Sequence, residues 1–149
     1  MTWAPHVTVA CIIEKKGEFL IVEEESFGRL VYNQPAGHVE SGETLIEAAI
    51  RETQEETGWK VEPTALLGVY VFTSPHNKVT YYRTCFIADA IEHDPTQTLD
   101  DGIMQALWLS PESIKADPSK CRSPVVYKSI DDYLLGQRFP LNCIYEHST

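Results

Sequence analysis

The segment from Gly37 to Trp59, GHVESGETLIEAAIRETQEETGW, constrains this chain more than any other stretch. Both ends of a helix are written into it. Thr44 with Glu47 three residues later makes a capping box, each side chain satisfying a backbone N–H of the first turn. Gly58 supplies the residue that can turn left-handed at the helix end. At about 100° per residue, Ile46, Ala49, Ile50 and Thr53 line one side, predicted to be buried. Glu52, Glu55 and Glu56 line a neighbouring side, spread over roughly 100° of arc. Burying the first stripe therefore fixes where the carboxylates point.

Acidic residues on a solvated helix face are common, and like-charge neighbours there cost only about 0.2–0.5 kcal/mol each. These three sit near the helix C-terminus, however, where the macrodipole disfavours negative charge. Under a covering loop, two carboxylates about 5 Å apart repel by roughly 3 kcal/mol at an effective dielectric near 20. A hard divalent cation removes that penalty. Mg²⁺ suits oxygen ligands and is usually shared with substrate phosphates, so the pattern points to phosphate chemistry.

The rest of the chain narrows the class. Its 149 residues suit one domain spanning 1–149, and no apolar run reaches the length of a membrane span. The opening MTWAPHVTVACII has no basic region before its apolar run and reads as a strand, not a signal peptide. A net charge of −10 with only 12 Lys and Arg argues against nucleic acid as a partner. Cys11, Cys85, Cys121 and Cys143 show no metal-type spacing and read as reduced thiols of a cytoplasmic protein.

Strands are predicted over residues 7–13, 19–22, 65–72, 79–90 and 106–109, with a hairpin turn at Lys15-Lys16-Gly17-Glu18. Glu23-Glu24-Glu25 reads as a solvated strand end or loop, and Asn33 to His38 as irregular. Ser110-Pro111 opens a helix, and a last helix runs from Pro124 to Leu135 before Gly136. Strands, a helix, more strands and a terminal helix give an α+β mixed β-sheet with helices on its faces.

Gly37, Glu43, Arg51, Glu52, Glu55, Glu56 and Gly58 fit the pattern G-x5-E-x7-R-E-U-x-E-E-x-G-U, where U is bulky and apolar. Chance matches of that length are about one in 10⁶ or rarer. The segment resembles the Nudix box, signature of hydrolases that cleave a diphosphate linked to another moiety. Residues 5–11, 33–38, 122–124 and 136–141 are similar to a bacterial phosphatase of that family. The resemblance implies an α/β/α sandwich carrying a loop-helix-loop motif and a small-molecule phosphorylated substrate. It implies Mg²⁺, with Mn²⁺ as a substitute, held by Glu52, Glu55 and Glu56 and a carbonyl of Gly37 or Ala36. Arg51 is expected to pair with a box carboxylate such as Glu43. Glu52 or Glu55 would position or deprotonate the attacking water.

Two departures stand out. Thr53 takes an apolar position, where its hydroxyl is expected to bond back to the preceding turn. Gly102 stands where many members carry a further glutamate, leaving Asp100, Asp101 or Gln105 as substitutes. Outside the box, Arg29, Arg83, Arg138 and His38 are candidate phosphate contacts, each against a structural or solvated role. Tyr32, Tyr70, Phe72, Tyr81 and Tyr82 read as core before ring-stacking residues.

The implied substrates are nucleoside tri- or diphosphates or a thiamine-related pyrimidine diphosphate, handled by a monomer or small homo-oligomer. Rival readings are hydrolysis of ADP-ribose or a nucleotide sugar, a nucleotide sensor that does not cleave, and isomerisation of an isoprenoid diphosphate. The complete Glu52–Glu55–Glu56 set speaks against the sensor. The isomerase would need a cysteine facing the substrate.

Overall fold

Strand β1 (His6–Ile12) buries both faces, and the architecture is arranged around it. Its alternation sends Ala10 and Ile12 into one apolar cluster and Val9 and Cys11 into another. β1 pairs in parallel with β7 (Thr80–His93) and antiparallel with β5 (Ala36–His38), and β6 (Trp59–Thr73) runs antiparallel to β7. The result is a four-stranded mixed sheet in the order β5-β1-β7-β6. A second, antiparallel sheet centres on β3 (Glu18–Ser26), flanked by β2 (Glu14–Lys15), β4 (Arg29–Asn33) and β8 (Ile103–Leu109). The computed structural model describes residues 2–147.

Helices cover opposite faces. α1 (Leu45–Thr57) packs Ala48 and Ala49 into the cluster with Val9, Cys11 and Phe86. α3 (Pro124–Leu134) packs Val126 and Ile130 into the cluster with Ala10, Ile12 and Cys85. α2 (Pro111–Lys115) adds Ile114 to the same side, capped by Ser110 with proline in its first turn. The α+β reading, a mixed sheet between helices, therefore stands. No helix among the described residues is long and apolar enough to cross a membrane.

The ends of α1 follow the local chemistry. Thr44 and Glu47 form the reciprocal capping box, and Gly58 closes the helix at φ 75°. The Thr53 hydroxyl donates to the Ala49 carbonyl at 2.8 Å, the back-bond expected of a threonine on the buried face. Three expectations need correction. The buried face of α1 comprises Ala48, Ala49, Thr53, Glu56 and Thr57, while Ile46 and Ile50 are only half-buried. Within residues 33–38, Ala36–His38 is a strand, because it pairs with the β1 edge and the Pro35 carbonyl accepts the Cys11 N–H at 3.1 Å. Glu23 and Glu24 lie inside β3 and are paired with Lys120 and Arg122, both at 2.8 Å, so the run is not a solvated end.

Candidate active site

Carboxylate oxygens of Glu52, Glu55 and Asp100 all lie within 4.8 Å of one another. The two glutamates come from one face of α1. Asp100 comes from the loop before β8, docked by its N–H donating to the Glu55 carbonyl at 3.1 Å. Gly102 turns the chain at φ +86°, a conformation that L side chains rarely adopt, and its carbonyl accepts the Glu25 N–H. Of the substitutes considered for Gly102, Asp100 is the one in the cluster; Gln105 instead donates to Glu23 at 3.0 Å.

Arg51 gathers the acidic side chains. Its Nε and Nη2 donate to the two oxygens of Glu43 at 2.6 and 3.0 Å, and Nη1 donates to Glu52 and Glu55 at 3.0 and 3.1 Å. Nη2 also donates to the His38 carbonyl at 3.0 Å, tying the helix to β5. The bidentate hold on Glu43 keeps that carboxyl below its usual range and raises Arg51 above its own. Both Glu43 oxygens are engaged, by Arg51 and by the Glu40 N–H.

Glu56 is 9% exposed and accepts the Ala36 N–H at 2.9 Å. Burial pushes its carboxyl up to about 9, opposed by that hydrogen bond and reinforced by Glu24, Glu52 and Asp100. Burial also raises Glu52, against the pull of Arg51. A site that holds carboxylates close together, two of them resisting ionisation, fits a hard divalent cation.

Gly37 belongs to the same arrangement. A Cβ built there would overlap the Glu52 carboxylate. That group is the far end of a flexible side chain, so Gly37→Ala should fold normally while displacing Glu52. Turnover is expected to drop about 10²-fold with a melting temperature within a few degrees of wild type, on the scale of an ~1 Å misplacement. Thermal melts beside steady-state rates check this; a fully active variant would remove Glu52 from the site.

A cleft of about 460 Å³ opens beside these residues, lined by Gly37, Glu52 and Glu56 and also by Phe27, Phe72 and His76. Arg83 lines it, with Nη1 and Nη2 donating to Asn33 and Gln34 at 3.1 and 2.7 Å. These partners are neutral, and the buried Nε has no hydrogen-bond partner among the described residues. Burial holds the Arg83 pKa below its ordinary value. Arg29 also lines the cleft and donates to the Ser119 carbonyl. His38 lines it with its ring 2.8 Å from that of His6, and is lowered first by burial and then by His6 and Arg122. Arg138 is not brought to this cleft: it is exposed, beside Phe139, whose backbone pairs with Leu66 at 2.7 and 2.9 Å.

Sequence reasoning missed Glu24 and Arg122, paired on the cleft wall, because their partners are distant in the chain. It also missed Phe27 and His76. Of the aromatic residues it considered, Tyr70, Phe72 and Tyr81 line the cleft, and the Tyr70 hydroxyl donates to Asp132 at 2.8 Å. Lys120 sits 4.8 Å over the Tyr32 ring, and Tyr82 meets Trp3 edge-on.

Residues 3–129 match the NUDIX domain family. The chain is 44% identical over 140 residues to Phosphatase NudJ of Escherichia coli K12, an alignment covering 94% of this chain and 90% of that protein. A NUDIX hydrolase from Nitrosomonas europaea superposes with a TM-score of 0.94 at 41% identity, across 97% of this chain and 98% of its own. A UDP-X diphosphatase shares the fold at a TM-score of 0.73 and 18% identity, over 94% of this chain and 68% of its own.

Proposed function

The chain belongs to the Nudix family of hydrolases, and from that premise we propose that it cleaves small phosphorylated substrates in a Mg²⁺-dependent reaction, with Mn²⁺ able to substitute. The substrate class is nucleoside tri- or diphosphates or a thiamine-pathway pyrimidine diphosphate, with phosphate or diphosphate released. The observation that carries this reading is the cluster of Glu52, Glu55 and Asp100, joined through Glu52 to a cleft that Glu56 and Arg83 also line. Similarity to a protein named as a phosphatase supports the release of phosphate. The enzyme acts in the cytoplasm as a monomer or small homo-oligomer.

Each residue has a task in this reading. Glu52, Glu55 and Glu56 would hold the cation, with Asp100 standing in for the glutamate that Gly102 replaces and a carbonyl of Gly37 or Ala36 completing the set. A bound divalent cation lowers the pKa of water and offsets charge on phosphate oxygens. Arg51 holds Glu52 and Glu55 in place through one nitrogen, so neither can swing away as substrate enters. Glu52 or Glu55 accepts the proton of the attacking water. Arg83, fixed by Asn33 and Gln34 and free of any carboxylate contact among the described salt bridges, presents its positive charge to the substrate's phosphates. Arg29 and His38 offer further contacts from the rim.

Turnover of a panel of nucleoside tri- and diphosphates, a pyrimidine diphosphate and ADP-ribose, with products identified, tests the reading. Mg²⁺-dependent phosphate or diphosphate release from the first three is expected. Preferential cleavage of ADP-ribose would shift the assignment to a nucleotide-sugar pyrophosphatase. A folded protein that binds but turns over nothing would be a sensor.

A further inference from the structure

The turn between β3 and β4 puts a phenylalanine where local sterics disfavour one. Ser26 pairs with Arg29, and both residues between them have positive φ, 49° at Phe27 and 80° at Gly28. A two-residue turn of that kind favours Asn or Asp before glycine, and a bulky residue there is uncommon and strained. Strain of this sort collects at functional sites, where another requirement outweighs it.

The ring so placed is not core. Phe27 is 58% exposed, and it stacks on His76 with ring centroids 4.5 Å apart and planes at 22°. His76 comes from the turn between β6 and β7, where its N–H donates to the Ser74 hydroxyl at 3.2 Å. Two separate hairpin tips thus bring flat faces together on the cleft that contains Glu52 and Glu56. Phe72, on the strand leading to His76, lines the same cleft. Its size, about 460 Å³, suits a ligand with a planar ring as well as phosphates.

We propose that the stacked Phe27–His76 pair forms a subsite for the heteroaromatic ring of the substrate, which extends the stack from its outer face while the diphosphate lies at the carboxylates. This rests on the hydrolase reading above and assigns the residues that recognise the flat, nitrogen-containing ring its substrates share. The strained turn holds the ring in place, so stacking costs little ordering. Phe27 and His76 are specificity-determining residues and take no part in the chemical step.

Two measurements separate this subsite from a mere strut between hairpins. In Phe27→Ala and His76→Ala, KM for a nucleoside diphosphate should rise about tenfold with kcat within twofold, as expected for loss of one base-stacking contact. Equilibrium binding of a nucleoside monophosphate, which needs no turnover, should weaken to the same extent, while ribose 5-phosphate competes equally well against all variants. Phe27→Tyr should behave as wild type. Equal weakening towards ribose 5-phosphate, unchanged binding of the nucleoside monophosphate, or no binding of it by the wild type would overturn the proposal. A wild type that hydrolyses no diphosphate overturns the reading above instead, and the binding measurement still decides the subsite.

Discussion

Glu56→Gln is expected to lower Mg²⁺-dependent turnover by at least about 10²-fold while leaving the protein folded, since losing even a residue that merely orients a ligand costs 10–100-fold. The reason lies in how Glu56 is held. Its carboxyl, pushed up to about 9 by burial, is neutral at pH 7 without a cation, and its oxygen accepts the Ala36 N–H. Glutamine is close in shape to the protonated acid and can accept the same hydrogen bond. Folding should not notice the change; cation binding should, because an amide cannot ionise to meet the charge. Glu52→Gln should lose a similar factor and also loosen Arg51, one of whose contacts is to Glu52. Asp100→Asn should weaken Mn²⁺ binding and turnover, and Asp101→Asn should change neither. Rates, calorimetric Mn²⁺ titration and thermal melts on the same preparations check the set. Turnover of Glu56→Gln and Glu52→Gln within twofold of wild type would sink the assignment of the site.

The parts of this site that sequence reasoning reached are those encoded locally. The cap at Thr44, the stop at Gly58 and the placing of Glu52, Glu55 and Glu56 on adjoining faces follow from helix geometry alone. Glu56 was placed on the carboxylate stripe, yet the helix turns it into the protein, because Ala36 on β5 reaches across to its carboxylate. No periodicity in α1 contains that contact. Asp100 emerged only as one of three substitutes, since its approach depends on a hydrogen bond between a loop and the Glu55 carbonyl. Glu24 looked solvated within an acidic triplet; Asn33 and Arg122, from elsewhere in the chain, make its burial tolerable. Phe27 carries a signal in the sequence itself. A two-residue Phe-Gly turn between strands breaks the usual turn chemistry, and such a breach marks a position held for another purpose.

With a chelator present, the protein should lose stability as pH rises from 7 to 8.5, and saturating Mg²⁺ should reduce that loss. Burial raises the Glu56 carboxyl from 4.5 to about 9, so above pH 5 the folded state holds a proton that the unfolded state has released. Stability then falls by about 1.4 kcal/mol per pH unit until the folded pKa is reached. Across the window this amounts to roughly 2 kcal/mol, or about 5 °C in melting temperature for a chain of this size. Glu52, also raised, has the same sign. His38 has the opposite sign, because its folded pKa is lowered, and its contribution is complete once pH exceeds its ordinary value near 6.5. The Cys11 and Cys85 thiols, pushed up by burial to about 11 and about 12, begin to destabilise the fold only near their ordinary value of 9. The window from 7 to 8.5 therefore isolates the buried carboxyls. A cation that binds the ionised form displaces the proton, so Mg²⁺ should flatten the slope and its affinity should rise with pH. Glu56→Gln has no proton to lose there, and its melting temperature in chelator should fall clearly less than that of the wild type over the same interval, any remaining slope coming from Glu52. A wild-type slope that persists unchanged in Glu56→Gln would mean that this carboxyl is not the group that resists ionisation.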